Sequence, residues 1–164
     1  MKLKLAGIES ESIVDGPGLR MAVFFQGCGH HCPACHNKKT WDFDGGFVMD
    51  VEDIIEDYTN NPLLSGITLT GGDPVYQPMA ALELALGIKD LNGDVWLYTG
   101  YTIEELVELS KSDENVLDLV NNVDVIVDGP FIESKKDMTL RFRGSYNQRI
   151  LYRDDIDKYM KVVR

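Results

Sequence analysis

The chain is poor in cysteine, in positive charge and in long apolar runs, and each shortage closes off a class of protein. Three cysteines occur in 164 residues, all between Cys28 and Cys35. An odd, tightly clustered set makes a poor disulfide framework and a good metal site in a reducing compartment. Lysine and arginine total 16 against 27 aspartates and glutamates, a formal net charge of −11. That balance argues against a general nucleic-acid scaffold, because phosphate binding needs a basic footprint. No run approaches the ~20 apolar residues of a membrane-spanning helix. Residues 1–8 alternate Lys with Leu and lack the apolar stretch of a secretion signal. The expectation is a cytoplasmic protein with neither nucleic acid nor membrane as a partner.

What is present is ordinary for a folded chain: 44% hydrophobic and 26% charged residues. The length fits a single domain over residues 1–164 and suffices to bury a core without staples. The charges are uneven. Glu52, Asp53, Glu56 and Asp57 crowd one stretch, while Arg141, Arg143, Arg149 and Arg153 gather toward the C-terminus. The basic stretch suits an anionic ligand or partner surface, or plain solvation.

The pattern along the chain is strand, then helix, repeated. Residues 20–26 read as a buried strand running into Gly27 and Cys28, and the segment from there to about residue 50 reads as loop. Val51, Ile54, Ile55 and Tyr58 form one helical stripe behind Asp50 as N-cap. Residues 66–70 alternate as a strand and end in Gly71-Gly72-Asp73-Pro74, followed by a helix over 78–91 with Pro78 in its first turn and Asn92-Gly93 as its stop. Residues 94–98 make a third strand, and Thr102 with Glu105 then match a capping box. A second helical piece covers 116–120, a fourth strand 123–127, a short strand 148–152, and a last turn or short helix 154–163. Alternation of this kind predicts an α/β fold with mostly parallel strands and right-handed crossovers. Ligands in such sheets sit beyond the C-terminal strand ends. Those ends carry Cys28, Gly71 to Pro74, Tyr98-Thr99-Gly100 and Asp128-Gly129-Pro130. A closed eightfold barrel needs ~250 residues, so an open, partial (β/α) barrel is expected.

The spacing Cys28-x-x-x-Cys32-x-x-Cys35 puts three thiolates within reach of one centre. Soft ligands suit zinc or an iron–sulfur cluster. A [4Fe–4S] cluster takes four thiolates when closed, so three leave one iron open. Structural zinc, completed by His30, His31 or His36, is the main rival on spacing alone. Cys32-Pro33-Ala34-Cys35 also matches a redox thiol pair, which the additional Cys28 disfavours.

The cysteine spacing resembles the signature of the radical S-adenosylmethionine superfamily, and Gly71-Gly72-Asp73-Pro74 resembles its Gly-Gly-Glu-Pro motif with Asp for Glu. Further segments are similar to one family, the activating proteins of anaerobic ribonucleoside-triphosphate reductase. These are residues 15–20, 27–37, 96–101, 127–131 and 143–149. The resemblance implies a [4Fe–4S] cluster on Cys28, Cys32 and Cys35, with S-adenosylmethionine bound to the open iron. It implies cleavage to a 5′-deoxyadenosyl radical that leaves a glycyl radical on the reductase, and an electron donor such as a flavodoxin. Gly71, Gly72, Asp73 and Pro74 are then expected around the methionine end of the cofactor, with the glycines letting backbone approach the ligand and Asp73 helping to orient its ammonium. Tyr98, Thr99 and Asp128 are candidates for other cofactor or rim contacts. His36 is suggested for the adenine, because Ala34 stands where many superfamily members carry an aromatic residue. Residues 143–149 are expected to help bind the ligand or the reductase. The alternatives are an activase of another glycyl-radical enzyme of formate-lyase type, a radical enzyme acting on a small molecule, and a non-catalytic zinc-binding module.

Overall fold

The computed structural model describes residues 1–163. Its elements are β1 (Lys2–Ser12), β2 (Arg20–Phe25), β3 (Phe47–Asp50), α1 (Val51–Thr59), β4 (Gly66–Gly71), α2 (Pro78–Asp90), β5 (Asp94–Tyr98), α3 (Ile103–Ser110), α4 (Glu114–Asn122), β6 (Val125–Asp128), β7 (Arg149–Tyr152) and α5 (Arg153–Met160). The strands form one sheet in the order β3-β1-β2-β4-β5-β6-β7. β2, β4, β5 and β6 pair in parallel, whereas β1, β3 and β7 pair antiparallel at the flanks. The sheet is open, with β3 and β7 as its edges, and parallel through the middle, as the strand–helix alternation predicts.

Strand periodicity sorts the side chains between two faces. Met21, Val23 and Phe25 of β2, Ile67 and Leu69 of β4, Val95 and Leu97 of β5, and Ile126 of β6 join the main core. Val51, Ile54 and Tyr58 of α1 and Ala81, Leu84 and Ile88 of α2 pack in the same cluster. Burying each of the larger apolar side chains is worth roughly 1.5–3 kcal/mol. The opposite face carries Arg20, Thr68, Trp96, Tyr98, Val125 and Val127, and the long loops cross this face.

Several local expectations hold to within a residue or two. β5 spans Asp94–Tyr98, α2 starts on Pro78, and Thr102 and Glu105 make a reciprocal capping box. Others need correction. Residues 2–12, given no element, and 47–50, read as loop, are β1 and β3. The Lys/Leu alternation of residues 1–8 places Leu3 and Leu5 in the core and was the overlooked strand signal. Asp50 does stand at the N-cap of α1, but its side chain caps nothing; it meets Lys2 at 3.4 Å across the β1–β3 pair. The fourth strand begins two residues late, because Val123 closes α4 and the Asp124 carboxylate accepts the Val95 N–H at 2.8 Å.

Candidate active site

β2 delivers the cysteine loop, which is tied down at both ends. The Gly27 N–H donates to the Thr40 carbonyl at 2.6 Å and the Cys28 N–H to that of Trp41 at 3.3 Å. The Gln26 amide nitrogen donates to the carbonyls of Lys39 and Asp42. Within the loop, the Cys35 N–H donates to the Cys32 carbonyl and the Asn37 N–H to Cys35 Sγ at 3.4 Å. All three cysteines are free thiols. Cys28 is buried, and that burial pushes its thiol pKa up.

A cavity of about 420 Å³ opens beside this loop. Its walls include Cys28, Cys32, Cys35, His36, Gly71, Gly72, Tyr98 and Thr99. The parallel strands thus bring eight of the expected site residues to one place. Arg143 and Gly144 from the C-terminal loop and Asp15 from the β1–β2 loop also reach it. Burial pushes the Tyr98 phenol well above its usual range, which keeps it a neutral hydrogen-bonding group.

The structure withdraws three expected residues from the cavity wall. Asp73 is fully buried. Its Oδ2 lies 2.7 Å from His30 Nε2 and accepts the Thr99 hydroxyl at 2.8 Å and the Gly100 N–H at 2.9 Å. Its Oδ1 accepts the Val75 N–H at 3.0 Å. With these four partners, the carboxylate joins the cysteine loop to the ends of β4 and β5. Pro74, also buried, opens the helical turn Pro74–Tyr76. Asp128 is 1% exposed and accepts from the Ile103 N–H at 2.8 Å and from Arg149, whose Nη2 lies 2.6 Å from its Oδ2. Arg149 also meets Glu104, and these two carboxylates hold its pKa above the usual range. Asp128 is therefore a buried pin for α3 and β7.

Gly71 and Gly72 line the cavity and also pack closely on β2. Gly71 has φ +99°, open to glycine at little steric cost. A Cβ there would collide with the backbone of Phe24 and Phe25, and one on Gly72 with the Gly27 carbonyl. The Gly72 N–H donates to Phe25 and the Asp73 N–H to Gly27, at 2.7 and 3.0 Å. The close approach that excludes side chains is to β2 and the start of the cysteine loop. The basic stretch also disperses: Arg141 lies over Phe142, Arg143 reaches the cavity, Arg149 holds Asp128, and Arg153 pairs with Asp157.

Three free thiols facing one cavity are a soft donor set suited to an iron–sulfur cluster. Ligands of a zinc ion converge on one point at ~2.0–2.3 Å, whereas the thiolates of a cluster bind different irons and stand wider apart. Among the described residues, no group of three His, Cys, Asp or Glu side chains is placed to hold a single metal ion. His30, tied to Asp73 and lying edge-on to Tyr101, was weighed in the sequence as a metal ligand; its structural link had no sequence signal, since 43 residues separate the pair.

Comparison with known proteins agrees with this donor chemistry. A family model described as a 4Fe-4S single cluster domain matches residues 14–151, which contain the cysteine loop and the other strand-end segments of the cavity. The chain is 40% identical over 144 residues to the anaerobic ribonucleoside-triphosphate reductase-activating protein of Salmonella typhimurium, covering 83% of this chain and 90% of that one. Identity to the protein of the same name from Escherichia coli is 38% over 145 residues, 83% and 90% of the two chains. To that of Enterobacteria phage T4 it is 34% over 143 residues, 84% and 86%. Among solved structures, QueE from Escherichia coli aligns with a TM-score of 0.49 and 17% identity over 62% of this chain and 54% of that one. Sequence and donor set together define a single-cluster 4Fe–4S protein. More narrowly, the chain belongs to the family of anaerobic ribonucleoside-triphosphate reductase-activating proteins.

Proposed function

We propose that the protein activates an anaerobic ribonucleoside-triphosphate reductase, holding a [4Fe–4S] cluster on Cys28, Cys32 and Cys35 with S-adenosylmethionine in the adjoining cavity. The observation that carries this is the shared cavity: three free thiols and the Gly71–Gly72 backbone line one pocket at the C-terminal ends of parallel strands. When bound, the pair supplies a one-electron cleavage of S-adenosylmethionine to methionine and a 5′-deoxyadenosyl radical, which takes a hydrogen atom from a backbone glycine of the reductase.

The chain's own residues bind, orient and exclude water. The two anchors at Gly27 and Cys28 hold the cysteine loop against the strand ends. The Asn37 N–H on Cys35 Sγ offers a hydrogen bond to a metal-bound sulfur. Backbone polar groups of Gly71 and Gly72, with Tyr98 and Thr99, are the contacts proposed for the cofactor's polar groups. His36, edge-on to Phe131 at 5.6 Å, is the proposed neighbour of the adenine. Arg143, whose Nη1 donates to the Gln148 carbonyl at 2.9 Å, sits in the cavity wall to meet a carboxylate or the incoming reductase segment. Asp73 acts as a positioning residue through His30, Thr99 and Gly100. A flavodoxin or similar carrier is the proposed reductant, and the cytoplasm the proposed compartment, where thiols stay reduced.

Electron spin resonance tests the reading. Anaerobically reconstituted protein, mixed with the reductase, S-adenosylmethionine and a reductant, is expected to give a glycyl radical signal on the reductase. Cleavage of S-adenosylmethionine without that signal would contradict the assignment of the partner.

A further inference from the structure

The cysteine loop has a second side. Phe43, Tyr76 and Met79 are 49%, 37% and 51% exposed, and none of them lines the cavity. Phe43 and Tyr76 meet edge to face at 5.3 Å, and Tyr76 continues to His30 at 5.8 Å and Tyr101 at 5.9 Å. Their outer parts face solvent while their inner parts press on the loop. A Cβ on Gly27 would meet the Phe43 ring at 2.5 Å, and one on Gly29 would meet the Tyr76 hydroxyl at 2.6 Å. Gly27 and Gly29 flank Cys28. The half-exposed aromatic pair is therefore packed directly on the backbone that carries the most buried of the three thiols.

We propose that the face formed by Phe43, Tyr76 and Met79 is the docking surface for the carrier protein that delivers the electron. This rests on the activase reading. In that reading the cavity side is taken by S-adenosylmethionine and the reductase glycine, so a carrier must approach the cysteines from outside the cavity. Exposed apolar side chains that lie together, as Phe43 and Tyr76 do, mark such contact sites, and Met79 follows three residues after Tyr76. Three side chains make a small contact, and redox encounters are small: transient electron-transfer complexes bury less than about 1,200 Å².

Charge favours the same face. Lys4 donates from Nζ to the Phe43 carbonyl at 2.9 Å, and Lys38 and Lys39 are exposed earlier in the same loop, against Asp42 and Asp44. On a chain of net charge −11, this is a place where an acidic carrier meets less repulsion. The carrier is thus expected to be an acidic one-electron protein with an apolar collar around its redox group. One electron leaves it and is accepted at the cysteine-held cluster; no bond forms or breaks and no proton moves.

The test uses the full chain, reconstituted anaerobically, and follows bleaching of the visible absorbance in stopped flow. Reduced flavodoxin is the protein probe and dithionite the small-molecule control. Met79→Glu changes an exposed side chain, and Phe43→Ala removes one ring. Both are expected to slow reduction by flavodoxin roughly tenfold, the scale of one interface hot spot, with iron content and the dithionite rate unchanged. Flavodoxin rates equal to wild type in both variants would overturn the proposal. So would a matching fall in the dithionite rate, which would mean a damaged loop and not a lost docking face. Wild-type protein that holds iron but cleaves no S-adenosylmethionine with dithionite would instead sink the activase reading, and this proposal with it.

Discussion

Two fully buried charged residues, Arg20 and Asp73, do opposite jobs. Arg20 opens β2 and is fully buried. Its Nε donates to Thr68 Oγ1 at 2.9 Å, its Nη1 to the Pro17 carbonyl at 3.2 Å, and its Nη2 to the Ile67 carbonyl at 2.8 Å; Nη2 also forms an ion pair with Asp94 Oδ1 at 2.6 Å. Its guanidinium also lies 5.8 Å from the centre of the Trp96 ring. Every one of these partners belongs to a strand or its flanking loop, so Arg20 ties scaffold to scaffold. Asp73 has four partners, but one of them, His30, rides on the cysteine loop between Cys28 and Cys32. Asp73 thereby ties scaffold to chemistry. A buried charge is tolerated where its hydrogen-bonding capacity is filled; what the filled node achieves depends on which elements it joins.

The comparison can be broken from either side. Arg20→Met is expected to have the largest effect on stability, about 3 kcal/mol or more, because it removes a buried cation with several charge-assisted bonds. Denaturant unfolding should register this loss. The folded fraction should still take up iron and bind S-adenosylmethionine normally. Loss of cofactor binding in folded Arg20→Met protein would show that the two nodes are not separable.

Asp73→Asn is expected to cost less stability, about 2 kcal/mol, since the shape is kept while an acceptor of several donors is lost. Its signature is in the site: a raised KM for S-adenosylmethionine and a changed resonance spectrum of the reduced cluster. His30→Ala removes only the loop's share of the node, at about 1 kcal/mol. It should lower iron retention in a chelator challenge, with partial recovery in His30→Gln. A His30→Ala protein with wild-type iron retention would refute the clamp. Tyr98→Phe should be the mildest, leaving unfolding within about 0.5 kcal/mol of wild type and raising KM for S-adenosylmethionine severalfold without changing iron content.

The sequence disclosed the parts of the site that depend on local pattern. Cys28, Cys32 and Cys35 stand at a spacing that chemistry restricts, and Gly71-Gly72 follows a plainly alternating strand. Parallel order then brings their strand ends together, so the shared rim is legible in the sequence. Most partners of Asp73, Asp128 and Arg20 are not, because all but Val75 and Pro17 lie far away in the chain. The glycines were recognised as sites of close approach, but their packing against β2 was not legible, since Phe24 and Phe25 lie much earlier in the chain. β3 escaped notice for a different reason: it is a four-residue edge strand with Phe47 and Val48 exposed, so burial leaves no alternation to read.

The most direct measurement is the electron spin resonance spectrum of the reduced, anaerobically reconstituted protein with and without S-adenosylmethionine. The proposed site predicts about one [4Fe–4S] cluster per chain, with a signal whose g values shift when S-adenosylmethionine is added. Substituting any one of Cys28, Cys32 or Cys35 with Ala should abolish the signal. A colourless protein holding zinc in place of iron, or a cluster signal indifferent to S-adenosylmethionine, would contradict it.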